Sequence, residues 1–147
     1  MFRNFIIIAL VFITVFTFSD CKKKKKTVQD NLPYQTVNIT IYPNDPLNFK
    51  IQSVGGWMYI NGGVNGIIVY RKTPNDFVAL ERTSTYLPND AGAAVKVQSD
   101  NFTLKDTVSN SKWQIMDGAV LSAPATQSLR LYNTLYDNGT GALYIRN

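Results

Sequence analysis

Turn chemistry recurs along this chain roughly every ten residues, and that cadence restricts the fold more than any other feature. Pro43-Asn44-Asp45-Pro46, Gly55-Gly56, Asn61-Gly62-Gly63, Thr73-Pro74-Asn75-Asp76, Ser99-Asp100-Asn101, Asp117-Gly118 and Asp137-Asn138-Gly139 each supply residues that bend the backbone or tolerate positive φ. Between them lie short apolar segments. Residues 37–41 alternate apolar and polar, and Leu47, Phe49 and Ile51 alternate again. Residues 57–60 and 67–70 (WMYI and IIVY) flank an Asn-Gly-Gly turn and predict a hairpin. Further strands are expected at 77–80, 95–97, 102–104, 113–116, 119–121, 129–132 and 142–145, with a long polar loop after Thr83. No useful window beyond residue 26 has a 3.6-residue period, and no internal repeat exists. The expectation is an all-β protein, an antiparallel β-sandwich or small barrel.

Two scarcities limit the chemistry. The chain has no histidine, the usual general base and the commonest metal ligand. Its single cysteine is Cys21, so a disulfide, a zinc cluster and a Ser-His-Asp triad cannot be assembled from this chain. The formal charge of +5 is equally local, because residues 22–26 are all lysine. From Thr27 onward nine Lys and Arg balance nine Asp and Glu, and a neutral domain lacks the footprint of a nucleic-acid binder.

The first residues read as an address. Arg3 precedes fourteen residues without a charge, FIIIALVFITVFTF at 5–18. That run is short for a bilayer span and suits the apolar region of a secretory signal. The residues alone leave open an ordinary signal cut elsewhere or an uncleaved anchor. An apolar run ending at a lone cysteine resembles a bacterial lipoprotein signal, although Asp20 stands where that pattern has a small uncharged residue. The resemblance implies that residues 1–20 are removed and that Cys21 is lipidated and anchors the chain in a membrane. It places the protein in the bacterial cell envelope, at the outer membrane. Residues 21–36 would then be the lipidated cysteine and a tether, whose lysines repel one another and stay extended.

Residues 37–147 resemble a second family. The order runs from the hairpin GGWMYINGG–GIIVYR to a strand ending Glu81-Arg82-Thr83-Ser84-Thr85-Tyr86. A two-strand insert and Asp106-Thr107-Val108-Ser109-Asn110-Ser111-Lys112-Trp113 follow, then Asp117-Gly118 and Ala123-Pro124-Ala125. This is similar to a Rieske-type domain, in which Cys-x-His and Cys-x-x-His boxes hold a [2Fe–2S] cluster and a proline loop covers it. The resemblance places the first box on Ser84 and Tyr86 and the second on Asp106 and Ser109. Ser111 and Trp113 keep the Ser-x-aromatic that follows the second box, while Asn110 replaces its glycine. All four ligands are replaced by oxygen donors. One carboxylate with neutral hydroxyls is also a poor calcium site.

The expectation is therefore a Rieske-like lipoprotein without cluster, metal or other cofactor. It would act as a binding or structural module and not as an enzyme. Side chains of the two boxes are expected to hydrogen-bond to each other and to loop backbone, with Tyr86, Leu87 and Pro88 filling the vacated space. The alternative is a glycan- or partner-binding lipoprotein of a surface uptake complex, using Trp57, Tyr59, Tyr70, Tyr132, Tyr136 and Tyr144 as a stacking surface. Ser111 and Lys112 cannot form a nucleophilic pair, since adjacent strand residues face opposite ways. Asp117 is expected to serve its turn rather than pair with Asp106.

Overall fold

The computed structural model describes residues 32–147. The signal, Cys21 and the lysine run lie outside those residues. The chain is tied to the domain from Leu32, which is buried. The Arg130 guanidinium donates to the carbonyls of Leu32 and Pro33, and Asn147 Nδ2 donates to that of Gln35.

Among the described residues ten strands form: β1 Asn38–Ile41, β2 Trp57–Ile60, β3 Ile67–Arg71, β4 Phe77–Glu81, β5 Lys96–Val97, β6 Thr103–Lys105, β7 Lys112–Gln114, β8 Val120–Ser122, β9 Leu131–Asp137 and β10 Ala142–Arg146. All pairings are antiparallel. One sheet has the order β1-β10-β9-β4-β3-β2 and the other β5-β6-β7-β8. The expected hairpin is present, with Trp57 opposite Tyr70 and Ile60 opposite Ile67. The fold is all-β and antiparallel, as the turn cadence requires.

Two stretches differ from expectation. Leu47, Phe49 and Ile51 lie in a 3-10 helix, Pro46–Ile51, and not in a strand. Asp45 caps it by accepting the Leu47 amide at 2.8 Å, and Pro46 supplies a pre-set φ at its first position. Of the three apolar residues only Ile51 is buried, so the alternation had no buried face behind it. The last hairpin is longer than expected. β9 runs on through Asn133, Thr134 and Leu135 to Asp137 because β10 pairs with it along its length.

The central strands explain the two cores. β3 and β4 are apolar on both faces, and each face meets a different partner layer. Ile67, Val69, Phe77 and Ala79 join Val37, Ile51, Tyr132, Leu143 and Ile145 in the first core. Ile68 and Leu80 turn the other way and pack with Val95, Leu104, Trp113, Ile115 and Leu129 in the second. Gly118 sits at that seam with φ +71°, and a Cβ there would lie 2.8 Å from Leu80 Cδ2.

Buried charges close the first core at both ends. By strand alternation Arg71 faces the same side as Ile67 and Val69, and Glu81 the same side as Phe77 and Ala79. Arg71 lies over the Phe77 ring at 5.1 Å and donates to Asn44 Oδ1 and to the carbonyls of Ile51, Gln52 and Pro74. It thereby fixes the 3-10 helix to the sheet.

Candidate functional site

Three loops far apart in sequence meet beyond the Glu81 end of β4. The first follows β4 and carries Ser84 and Tyr86, the second joins β6 to β7 and carries Asp106 and Ser109, and the third is Ala123-Pro124-Ala125. A pocket of about 230 Å³ opens between them, lined by Tyr86, Leu87, Asp90, Ala93, Asp106, Val108, Ser109 and Pro124. Three of the four sequence-predicted positions therefore line one cavity. Ser84 is fully buried and does not line it.

Each box is closed on itself. Ser84 Oγ donates to the Tyr86 carbonyl at 2.9 Å and accepts the Tyr86 amide at 3.2 Å, a tight serine turn that turns its hydroxyl inward. The rest of the loop returns through Asp90 N–H to Leu87 O, Ala93 N–H to Asp90 O, and Ser84 N–H to Ala93 O. In the second box the buried Asp106 carboxylate accepts the Val108 amide at 2.9 Å and the Ser109 hydroxyl at 2.6 Å. Ser109 Oγ also lies 2.9 Å from Ser111 Oγ and accepts the Ser111 amide. With the single Ser109 proton committed to the carboxylate, the Ser111 hydroxyl supplies the proton between the two oxygens.

Among the described residues no side-chain hydrogen bond runs directly from the first box to the second. The expected direct cross-link is replaced by an indirect one through the proline loop. Ser111 Oγ accepts the Ala125 amide at 3.0 Å. The Gln127 carbonyl accepts both the Thr85 hydroxyl at 2.7 Å and the Trp113 indole N–H at 2.9 Å. Loop backbone thus does what side-chain pairing was expected to do. The reason is reach: hydroxyls and one short carboxylate find nearby amides before they can cross the cavity.

Nor is the space filled as expected. Tyr86 packs against the second core, but Leu87 adopts φ +54° and is 52 % exposed, turned out to the rim. Val108 and Pro124, both exposed, complete an apolar lip with it. Asp90 on the same lip was missed from the sequence, where Pro88-Asn89-Asp90 read as loop composition only.

A [2Fe–2S] cluster of the Rieske kind needs two thiolates and two imidazoles. The matching positions offer two hydroxyls, a phenol and a carboxylate, and the Ser84, Asp106 and Ser109 oxygens are engaged with neighbouring amides and hydroxyls. The donor set does not fit that group.

Other candidates resolve as structure. Ser111 is buried and Lys112 exposed, so they point apart as expected. The Asp117 carboxylate is used by Gln114 Nε2 and the Ala119 amide. The aromatic residues do not share one face. Tyr132 is in the first core and Tyr136 tilts against Phe77. Trp57 donates to Asn101, and Tyr59 accepts the Val97 amide beneath Arg82, so both join the two sheets.

Sequence reading missed a second polar centre outright. Glu81, the chain's one glutamate, is fully buried. Its carboxylate accepts the amides of Val64, Asn65 and Thr83 and the hydroxyls of Thr83 and Tyr132. Burial opposes its ionisation, but the Val64, Tyr132, Thr83 and Asn65 hydrogen bonds outweigh burial and hold its pKa below the ordinary value. Burial and the Glu81 charge raise the Tyr132 phenol in turn. The turn after β2 can wrap this carboxylate only because residue 63 is glycine, since a Cβ there would lie 2.2 Å from Glu81 Oε2. A lone glutamate ending a buried apolar strand was the available signal.

No family model and no curated protein matches the chain. Among solved structures it is similar to a chain from a complex of reduced oxygenase and oxidized ferredoxin in carbazole 1,9a-dioxygenase. The match has 16 % identity and a TM-score of 0.49, and covers 76 % of this chain and 92 % of that one.

Proposed function

We propose that this protein is a lipid-anchored lipoprotein of the bacterial cell envelope whose Rieske-like domain holds no iron–sulfur cluster and serves as a non-catalytic binding module. One observation carries the reading. Tyr86, Asp106, Ser109 and Pro124, from the three segments that motif order singles out as two ligand boxes and a covering loop, line a single pocket, with Ser84 buried behind it. Of the donors they bring, the Ser84, Asp106 and Ser109 oxygens are already engaged in local hydrogen bonds. A binding role, in preference to a purely structural one, is supported by the pocket remaining open when Leu87 had the bulk to close it.

The anchor rests on the sequence alone: a fourteen-residue apolar run ending near the chain's one cysteine. Lipidation at Cys21 would leave eleven residues to Leu32, reaching at most about 40 Å when extended. The domain would stay close to its membrane, and the outer membrane is the proposed location.

Purification of the full chain under anaerobic conditions, followed by elemental analysis and visible spectroscopy, tests the central point. The expected protein is colourless and contains no stoichiometric iron. An iron content of two per chain with visible charge-transfer bands would refute the reading.

A further inference from the structure

One helical turn displays apolar side chains that the core does not take. In the Pro46–Ile51 helix Ile51 is buried, while Leu47 is 87 % exposed and Phe49 66 %. Tyr42 and Val54, on either side of the helix in sequence, are exposed as well. A cleft of about 390 Å³ between the helix and β2 carries this apolar surface on to Met58 and Tyr59, and Lys50 stands at its edge.

The display is held firmly from beneath. Asp45 accepts the Leu47 amide, Asn48 Nδ2 donates to the Tyr42 carbonyl, and Gln52 Nε2 donates to the carbonyls of Asn44 and Asp45. The buried Arg71 guanidinium donates to the carbonyls of Ile51 and Gln52. Each of these bonds secures backbone, and none needs an apolar side chain at 47 or 49. Contiguous bulky apolar residues held out in water mark a surface that is covered in use.

Area and tether decide what covers it. Two large side chains on one helical turn fall far short of the roughly 800 Å² per partner of a stable protein interface. A lipid surface needs much less, because a chain anchored in it meets it at high effective concentration. The reach is sufficient. The eleven residues from Cys21 to Leu32 extend to about 40 Å, and the ten from Leu32 to Tyr42 keep the root of the tether within about 35 Å of the patch. The exposed Lys50 suits the same surface, its stem lying along the apolar side chains and its ammonium meeting a headgroup phosphate.

Resting on the reading that Cys21 carries a lipid anchor, we infer that the Pro46–Ile51 helix is a second membrane contact, which sets Leu47 and Phe49 into the interface of the lipid surface that holds the chain. Anchor and helix together fix two points of the molecule, so the domain lies against the membrane in one orientation.

The full chain, extracted from membranes and ¹³C-labelled at leucine methyls, is weighed by intact mass spectrometry. It is then placed in nanodiscs of phosphatidylcholine and phosphatidylglycerol doped with a lipid spin-labelled near its headgroup. The Leu47 methyl signals should broaden strongly, while those of Leu135, equally bare on β9, should stay sharp. Phe49→Asp, at an exposed position, should move the docked-to-free ratio about tenfold toward the free form, the scale of one inserted apolar side chain. The Leu47 broadening would then fall toward that of Leu135. A chain without acyl groups overturns the anchor reading. An acylated chain in which Leu47 and Leu135 broaden alike, or neither broadens, overturns this inference alone. So does a Leu47 signal that ignores the spin label but shifts with protein concentration, which would give the patch to a second copy.

Discussion

Replacing Glu81 by Gln keeps the shape of the buried side chain and removes only its charge and one acceptor. Oε1 accepts Asn65 N–H at 3.1 Å, Thr83 N–H at 2.9 Å and the Thr83 hydroxyl at 2.8 Å. Oε2 accepts Val64 N–H at 2.8 Å and the Tyr132 hydroxyl at 2.7 Å. A glutamine does least harm with its carbonyl at the Oε1 position. Its NH₂ then faces Val64 N–H, while the Tyr132 hydroxyl can rotate to accept. One buried amide is left without a partner, at about 1–3 kcal/mol, and three charge-assisted bonds become neutral, at about 1 kcal/mol each. Relief of the buried charge's desolvation offsets part of this, and the net loss is about 2–4 kcal/mol. With a urea slope of about 1–2 kcal/mol per molar for a domain of this size, the unfolding midpoint drops by about 2 M.

The assay is urea unfolding of wild type and Glu81→Gln, followed by the fluorescence of buried Trp113. The pH dependence checks the cause. The folded pKa of Glu81 lies below its ordinary value of 4.5, so its contribution is fully present well above pH 4.5. It is lost as the pH falls from there through the folded pKa, where both states become protonated. The gap between the two proteins must therefore narrow below about pH 4.5. Equal midpoints at pH 7, or a gap of constant size down to pH 3.5, would refute the assignment of this carboxylate as the clasp of the β2–β3 turn.

Two further outcomes follow from the geometry. Ser111→Ala removes the acceptor of the Ala125 amide, so stability should fall by about 1–2 kcal/mol and hydrogen exchange at Ala125 should quicken while that at Ile68 changes less. Unchanged exchange at Ala125 would show that the proline loop is held by packing alone. Cys21→Ser should abolish fatty-acid labelling and release the protein from the membrane fraction, and an unaltered partition would exclude a lipid anchor at that residue.

The strand cadence was legible because it depends on short-range chemistry. Asn61-Gly62-Gly63 forces a bend whatever surrounds it, and the short apolar IIVY and FVAL runs between turn signals read as strands, while their burial on both faces is seen only in the fold. The 3-10 helix at Pro46–Ile51 was misread because three apolar residues spaced by two fit a strand until one asks what buries them, and only Ile51 finds a partner. Motif order named Tyr86, Asp106 and Ser109 as candidates, and that they line one cavity is a property of the fold.

By itself, then, the sequence determined an antiparallel β protein and the absence of the ligands a Rieske cluster requires, because both follow from residue identity and local spacing. Only the tertiary structure decided that the two boxes are joined through Ala125 and Gln127 rather than to each other. It alone showed that Leu87 turns outward and leaves a pocket, and that Glu81 and Arg71 close opposite ends of one core. The decisive contacts join residues distant in sequence, such as Ser111 with Ala125, 14 positions apart, and Glu81 with Tyr132, 51 apart. No local pattern encodes whether a polar side chain will meet a partner across the fold, since that depends on which strands the whole chain brings side by side.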